Sequence, residues 1–309
     1  KKKAILGLVA LGLVSVSSAA TLDFAPGGGD YNWSTAGNWN TGGTDTSIGT
    51  TPAGAAPTAG DDVRVDNTTD YTTGLVIQAN NATAATLHIG ATTDYKSSAH
   101  VTINSGAQLT LTSALTFGGN HKRSGYLTNR GTLNVEGGNT NKNGSGYFDN
   151  YGTMNFYANR LTMNGSRNWI FNQYAGSITC GNLLLVAAVD ESYDATFNMM
   201  GGDVTGTRLL STDEVGGAVL NLSGGTMTFT TFEFLDRTNN TMNVTGGRLT
   251  IAGRDMKAYF ENAITAGQLT GVRADQVIFD GTDTFIAVPE PATYALFAGC
   301  FGLAWVMLR

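Results

Sequence analysis

The feature that most constrains this chain is an internal repeat. "FNMMGGDVTGT" from Phe197, "LNLSGGTMTFT" from Leu220 and "MNVTGGRLTIA" from Met242 share the form apolar-Asn-apolar-x-Gly-Gly-x-apolar. Looser copies precede them: "LTNRGTLNV" from Leu127, "FDNYGTMNF" from Phe148 and "FNQYAGSITCG" from Phe171, with "VTINSGAQLTL" from Val101 earlier still. The anchor glycines Gly131, Gly152, Gly176, Gly202, Gly225 and Gly247 follow one another at about 21, 24, 26, 23 and 22 residues, which is a solenoid period. After the anchors, apolar residues alternate: Leu133 and Val135, Met154 and Phe156, Met227 and Phe229, Leu249 and Ile251. A period of two is a strand with one face buried.

A further apolar segment closes most copies, in "NRLTMNG", "GNLLLVAA", "TRLLSTDE" and "TFEFLDR". Three short strands in about 23 residues make one coil of a right-handed parallel β-helix. No coil can bury its apolar face alone, whereas stacked coils share a continuous core. Equivalent residues then form ladders at about 4.8 Å, and Asn172, Asn198, Asn221 and Asn243 occupy matching positions for hydrogen bonding along the axis. Composition agrees with an all-β fold. The chain has 41 Gly, and Thr and Asn fill its polar positions, all weak helix formers.

An open solenoid end is an exposed sheet edge, so caps are expected. At the front stand "YNWSTAGNWN", with Trp33 and Trp39, and "PTAGDDVRVD". At the back, Asp255 can cap a helix over "MKAYFENAIT", whose Met256, Tyr259, Phe260 and Ile264 line one face. "DQVIFDGTDTFIAV" then reads as closing strands. The body spans residues 21–287. "WSTAGNWN", "PTAGDDVRVD", the Gly-Gly coils and the late helix together resemble bacterial extracellular β-helix proteins of the autotransporter-passenger-like type.

The two ends speak of export. "KKKAILGLVALGLVSVSSAAT" has a basic start, an apolar stretch and small residues, the layout of a secretory signal peptide over residues 1–20. Cleavage is expected between Ala20 and Thr21. At the other end, residues 288–309 read "VPEPATYALFAGCFGLAWVMLR". Pro289 and Pro291 hold Glu290 on an extended stem, and residues 292–308 are apolar enough for a short membrane helix. Arg309 alone supplies the basic end. This segment resembles the PEP-CTERM sorting signal. The resemblance implies that Pro289, Glu290 and Pro291 are read by an exosortase, a membrane-bound cysteine transpeptidase. It would leave the protein at the cell surface or in the extracellular matrix after a transient membrane-anchored stage.

The net charge is −6. Without Lys1, Lys2, Lys3 and Arg309 the basic residues fall to 14, and without Glu290 the acids fall to 23, so residues 21–288 carry −9. An acidic chain with no basic cluster excludes a nucleic-acid partner. Cys180 and Cys300 are the two cysteines, too few for a disulfide framework, and Cys180 reads as a small buried hydrophobe. His88, His100 and His121 are scattered without metal-ligand spacing, so neither a metal nor another cofactor is expected.

One constellation could carry chemistry. Asp190, Asp213 and Asp236 each follow the third segment of a coil, 23 residues apart. Stacking would set their carboxylates about 5 Å apart, near the separation used by retaining glycosidases. The competing reading is a ladder of solvated turn acids, partly neutralised by Arg208 and Arg237. Three functions are therefore expected in order. The first is a non-enzymatic structural or adhesive protein associated with exopolysaccharide or a cell-surface glycan. The second is a β-helix polysaccharide lyase or hydrolase using the three aspartates. The third is a glycan-binding module stacking sugars on Trp33, Trp39 or Trp169.

Overall fold

Alternating strands that repeat coil after coil should pair in register, like with like, and they do. The computed structural model describes residues 19–25, 30–43, 50–66, 74–90, 98–118, 124–137, 145–163, 168–185, 195–211 and 216–288. They form a parallel β-solenoid of about seven turns with one short helix. Residues 1–18, which hold most of the expected signal peptide, together with Asp190, Asp213, His121, Pro289, Glu290, Pro291 and the apolar run after them, lie outside the described residues.

Two sheets enclose the core. The first strands of successive coils make a nine-stranded sheet of parallel strands, Leu75–Ile77, Ala99–Ile103, Ser124–Asn129, Ser145–Asn150, Trp169–Gln173, Ala195–Met199, Ala218–Leu222, Thr241–Val244 and Leu269–Thr270. The strands after the glycines make the parallel part of a fifteen-stranded sheet, from Thr21–Phe24 to Gly247–Ile251.

The expected third strand is separate in only one of these coils. In Thr153–Met163, Ser177–Leu185 and Asp203–Leu210 it continues the second strand. An irregularity between Phe156 and Arg160 turns the corner. In the next coil, Thr231–Glu233 stands as its own strand beside Arg208–Leu210. The chain can bend without breaking the ladder because a bulge adds residues on one strand and leaves pairing intact on either side.

Inward columns explain residue choice. Phe148, Phe171 and Phe197 stack at centroid distances of 4.9 and 5.0 Å, with 16° between planes in both pairs. The neighbouring inward column runs Ala99, Gly125, Gly146, Trp169, Ala195, Ala218. A Cβ on Gly146 would sit 2.3 Å from the Trp169 ring, so the indole fits because small residues flank it. Cys180 is buried between Phe156 and Gly206 of the adjacent coils, as its apolar setting suggested.

The anchor glycines form one column at a corner where coils touch backbone to backbone. A Cβ on Gly152 would lie 2.1 Å from the Gly131 carbonyl oxygen, and one on Gly202 would lie 2.3 Å from that of Gly176. Those carbonyls accept from the next coil, Thr153 N at 2.8 Å and Asp203 N at 2.9 Å. Gly202 also has φ +72°, a conformation that L side chains rarely adopt.

Antiparallel strands close both ends of the larger sheet. Trp39–Thr41 pairs with Thr21–Phe24 and then with Thr51–Pro52. At the back, Thr284–Val288 covers Gly247–Ile251 and pairs with Val277–Phe279. The outermost strands are thus two and three residues long, which limits edge pairing with other chains. The helix α1, Lys257–Thr265, buries Phe260 and Ala263 against the last coil, with Met256, Tyr259 and Ile264 half-buried beside them. It starts one residue later than the sequence suggested. Asp255 Oδ1 accepts from Lys257 N at 3.1 Å, and Met256 occupies the cap position itself. Among the described residues no helix is long and apolar enough to cross a membrane.

Candidate functional site

The tryptophans give no stacking platform. Trp33, Trp39 and Trp169 are all buried. Trp39 packs edge-on against Trp33 and tilts onto Phe24, and its Nε1 donates to the Trp33 carbonyl at 2.9 Å. Trp169 lies against Phe117 and Phe148 in the core. A sugar needs an open ring face, and these faces are spent on the core. Trp33 and Trp39 pack in the cap, as their place before the first coils suggested, and the alternative reading of Trp33, Trp39 and Trp169 as glycan contacts is corrected: they are packing residues.

Of the three aspartates, Asp236 alone falls among the described residues. It ends the short 3-10 turn Phe234–Asp236 and is exposed. Tyr259 lies beside it, with its phenol pushed up by burial and further by Asp236. Arg208, expected to neutralise an acidic ladder in part, donates to Glu233 Oε2 at 2.6 Å. Among the described residues no group of three or more His, Cys, Asp or Glu could hold a metal ion.

Ala20 and Thr21 stand at the entrance to the first strand. Ala20 N donates to Asp61 Oδ1 at 3.0 Å, and Asp62 N donates to the Ala20 carbonyl at 2.8 Å. Burial opposes ionisation of Asp61, but hydrogen bonds from Thr58 and Ala20 overcome it and hold the carboxyl below its ordinary value.

What the fold does assemble is a grid on the outer face of the nine-stranded sheet. Alternate residues of each strand point outward, and parallel register aligns them across coils. One column runs His100, Tyr126, Tyr147, Ile170, Thr196, Val219. Its rings stack at 4.5 Å with 7° between planes, His100 on Tyr126 and Tyr126 on Tyr147. Burial holds the His100 imidazole below its ordinary value and pushes the Tyr147 phenol up, the latter helped by Tyr126.

The central column runs Thr102, Thr128, Asp149, Asn172, Asn198, Asn221, Asn243, Thr270. The expected asparagine ladder is here. Asn221 Nδ2 donates to Asn198 Oδ1, Asn198 Nδ2 to Asn172 Oδ1, and Asn172 Nδ2 to Asp149 Oδ1, each at 2.8 Å. Asn243 stands next in register and accepts from Thr270 Oγ1 at 3.3 Å.

A third column follows the corner. Arg130 lies over the Tyr151 ring at 4.5 Å, and Tyr151 stacks on Tyr174 at 4.6 Å with 5° between planes. Met200 takes the equivalent place one coil on, its N donating to the Gln173 carbonyl as Tyr174 N donates to that of Asn150. Tyr174 is 36% and Met200 39% exposed, which makes them the open apolar spot of this face.

A second amide ladder was missed in the sequence. Asn129, Asn150 and Gln173 point inward and are fully buried. Asn129 Nδ2 donates to Asn150 Oδ1 at 2.8 Å, and Asn150 Nδ2 donates to Gln173 Oε1 at 2.7 Å. Asn129 Oδ1 and Asn150 Oδ1 also accept from the backbone N of Gly131 and Gly152. The signal was present in "LTN", "FDN" and "FNQ", where an amide falls on the inward parity of the strand.

Fold and surface together define a parallel β-solenoid with laddered polar and aromatic faces. No family model, curated protein or solved structure matches the chain.

Proposed function

We propose that this chain is an exported structural solenoid that stands at the cell surface or in the extracellular matrix and associates with polysaccharide. The observation that carries the reading is the outer grid. Coil after coil presents uncharged amides, hydroxyls and phenols in register, suited to many weak contacts with a repetitive polymer. In this reading the coils wind right-handed, the sense that parallel crossovers take. Cleavage after Ala20 frees the first strand, and residues 292–308 hold the chain in the membrane until an exosortase acts at Pro289, Glu290 and Pro291.

Fractionation of producing cells tests this. The protein should appear in the extracellular polysaccharide fraction, and Glu290→Ala or loss of the exosortase should retain it in the membrane. Recovery in the cytoplasm, or matrix release that needs neither Glu290 nor an exosortase, would refute the reading. The enzymatic alternative requires that Asp213→Asn and Asp236→Asn abolish cleavage of a polysaccharide by the full chain.

A further inference from the structure

We infer that the outer face of the nine-stranded sheet binds a neutral, hydroxyl-rich glycan chain laid along the solenoid axis, centred on Asp149, Asn172, Tyr174, Asn198 and Met200. This rests on the polysaccharide-associated reading above and adds the face, the direction and the charge class of the glycan.

A primary amide has two N–H donors and two lone pairs on oxygen. The ladder Asn221 to Asn198 to Asn172 to Asp149 uses one donor of each asparagine, and one acceptor pair each of Asn172 and Asn198. One donor and one acceptor per inner rung remain for a ligand. The ladder also fixes the amide planes, so little side-chain entropy is lost on binding. A sugar hydroxyl both donates and accepts, so it can complete such a rung in either sense.

Spacing sets the direction. Rungs repeat about every 4.8 Å across the strands. That is close to the length of one pyranose unit in an extended 1,4-linked chain. A glycan running along the axis meets a fresh rung with each sugar, whereas one running along a strand crosses a face only five residues long.

The apolar side is supplied by the corner column. In the stacks His100–Tyr126–Tyr147 and Tyr151–Tyr174 the inner ring faces lie against one another. A ligand there meets edges and phenol oxygens. Beyond Tyr174 the aromatic column gives way to Met200, and both side chains are partly open. Tyr174 and Met200 each directly follow a strand and stand two residues beyond its amide rung, Asn172 and Asn198. Sugar C–H groups can pack on this pair while the hydroxyls face the amides.

Charge selects the class. Asp149 closes the amide row, and it also acts electrostatically on Tyr174. The body around it carries a net −9 over residues 21–288, so a polyuronate is repelled and an uncharged polymer is not.

Native affinity electrophoresis of the full chain tests the assignment. The gels contain hydroxyethyl cellulose, a neutral 1,4-linked glucan, or polygalacturonate. The neutral glucan should retard the protein and polygalacturonate should not. Tyr174→Ala combined with Asn198→Ala should weaken retardation at least about tenfold, equivalent to about 1.4 kcal/mol. Thr205→Ala, on the exposed face of the other sheet, should leave it unchanged. Far-UV circular dichroism and urea midpoints establish that the variants are folded, and Met200→Ser gives a second lesion outside the ladder. No retardation by the neutral glucan, equal retardation by polygalacturonate, or folded variants that bind like the wild type would each overturn the inference. Glucan binding that survives every lesion on this face would overturn it while leaving the polysaccharide-associated reading intact. Cell fractionation decides that broader reading independently.

Discussion

Three glycine-to-alanine substitutions separate the two physical reasons for the corner glycines. Gly253 has φ +69° and open space where a Cβ would go. Its replacement carries only the cost of a left-handed L-residue, about 1–2 kcal/mol. Gly152 lacks a positive φ, but its Cβ would meet the Gly131 carbonyl oxygen at 2.1 Å. That oxygen accepts from Thr153 N at 2.8 Å, so relief of the clash must displace an inter-coil hydrogen bond. Overpacking of this kind costs about 1–3 kcal/mol, and the disturbed bond adds about 1 kcal/mol. Gly202 combines φ +72° with a Cβ contact of 2.3 Å to the Gly176 carbonyl oxygen. Gly202→Ala should therefore cost about 3–6 kcal/mol, Gly152→Ala about 2–4 and Gly253→Ala about 1–2, each lowered by about 0.4–1 kcal/mol because alanine restrains the unfolded chain. Urea unfolding followed by fluorescence of the buried tryptophans reads all three. If Gly253→Ala proves as costly as Gly202→Ala, close approach between coils is not the reason for the column. If Gly152→Ala is neutral, the inter-coil carbonyl does not constrain the corner.

Asn150→Ala should cost about 2–4 kcal/mol by urea unfolding, since it strands the buried Gln173 Oε1 and one N–H of Asn129 Nδ2, whose other N–H stays on the Thr153 carbonyl. Gly146→Ala should destabilise by about 1–3 kcal/mol through its clash with the Trp169 ring, and pairing it with Trp169→Leu should relieve much of that clash in a double-mutant cycle. Burial pushes the Cys180 thiol up to about 12, so a thiol reagent at pH 8 should label it only as fast as the protein opens, and rapid labelling in native buffer would contradict its core position. His100 is held below its ordinary value by burial, so the unfolded chain takes up that proton first. Its contribution to stability is whole above about pH 6.5, the value of an unperturbed imidazole, and is lost as pH falls through the depressed folded value. The stability–pH curve of His100→Phe should lack that slope and match the wild type above the window.

The recurring Gly-Gly motifs and their alternating tails made the parallel solenoid, the coil length, the buried Cys180 and the asparagine ladder legible. Each is a local pattern repeated at one spacing, and stacking converts sequence period directly into spatial register. Other features stayed hidden because they depend on which residue faces which across a coil. The third segment alternates like a strand, yet whether it breaks from the second depends on the bulge near Phe156 and Arg160. Trp33 and Trp39 read first as cap packing and only second as a sugar platform, whereas the placement of Trp169 depends on small neighbours in the adjacent coil such as Gly146.

The sequence by itself determined a stack of similar coils closed by aromatic and helical caps, because period and parity are properties of the chain alone. Only the tertiary structure decided that Asn129, Asn150 and Gln173 satisfy one another as a buried amide row and that Asp149 ends the outer one. The physical reason is that alternation is written in the chain, whereas the partners a side chain meets across coils are set only by stacking. Neighbouring positions such as Asn172 and Gln173 carry similar side chains but point to opposite faces, so one meets solvent and the next must find every partner inside the core.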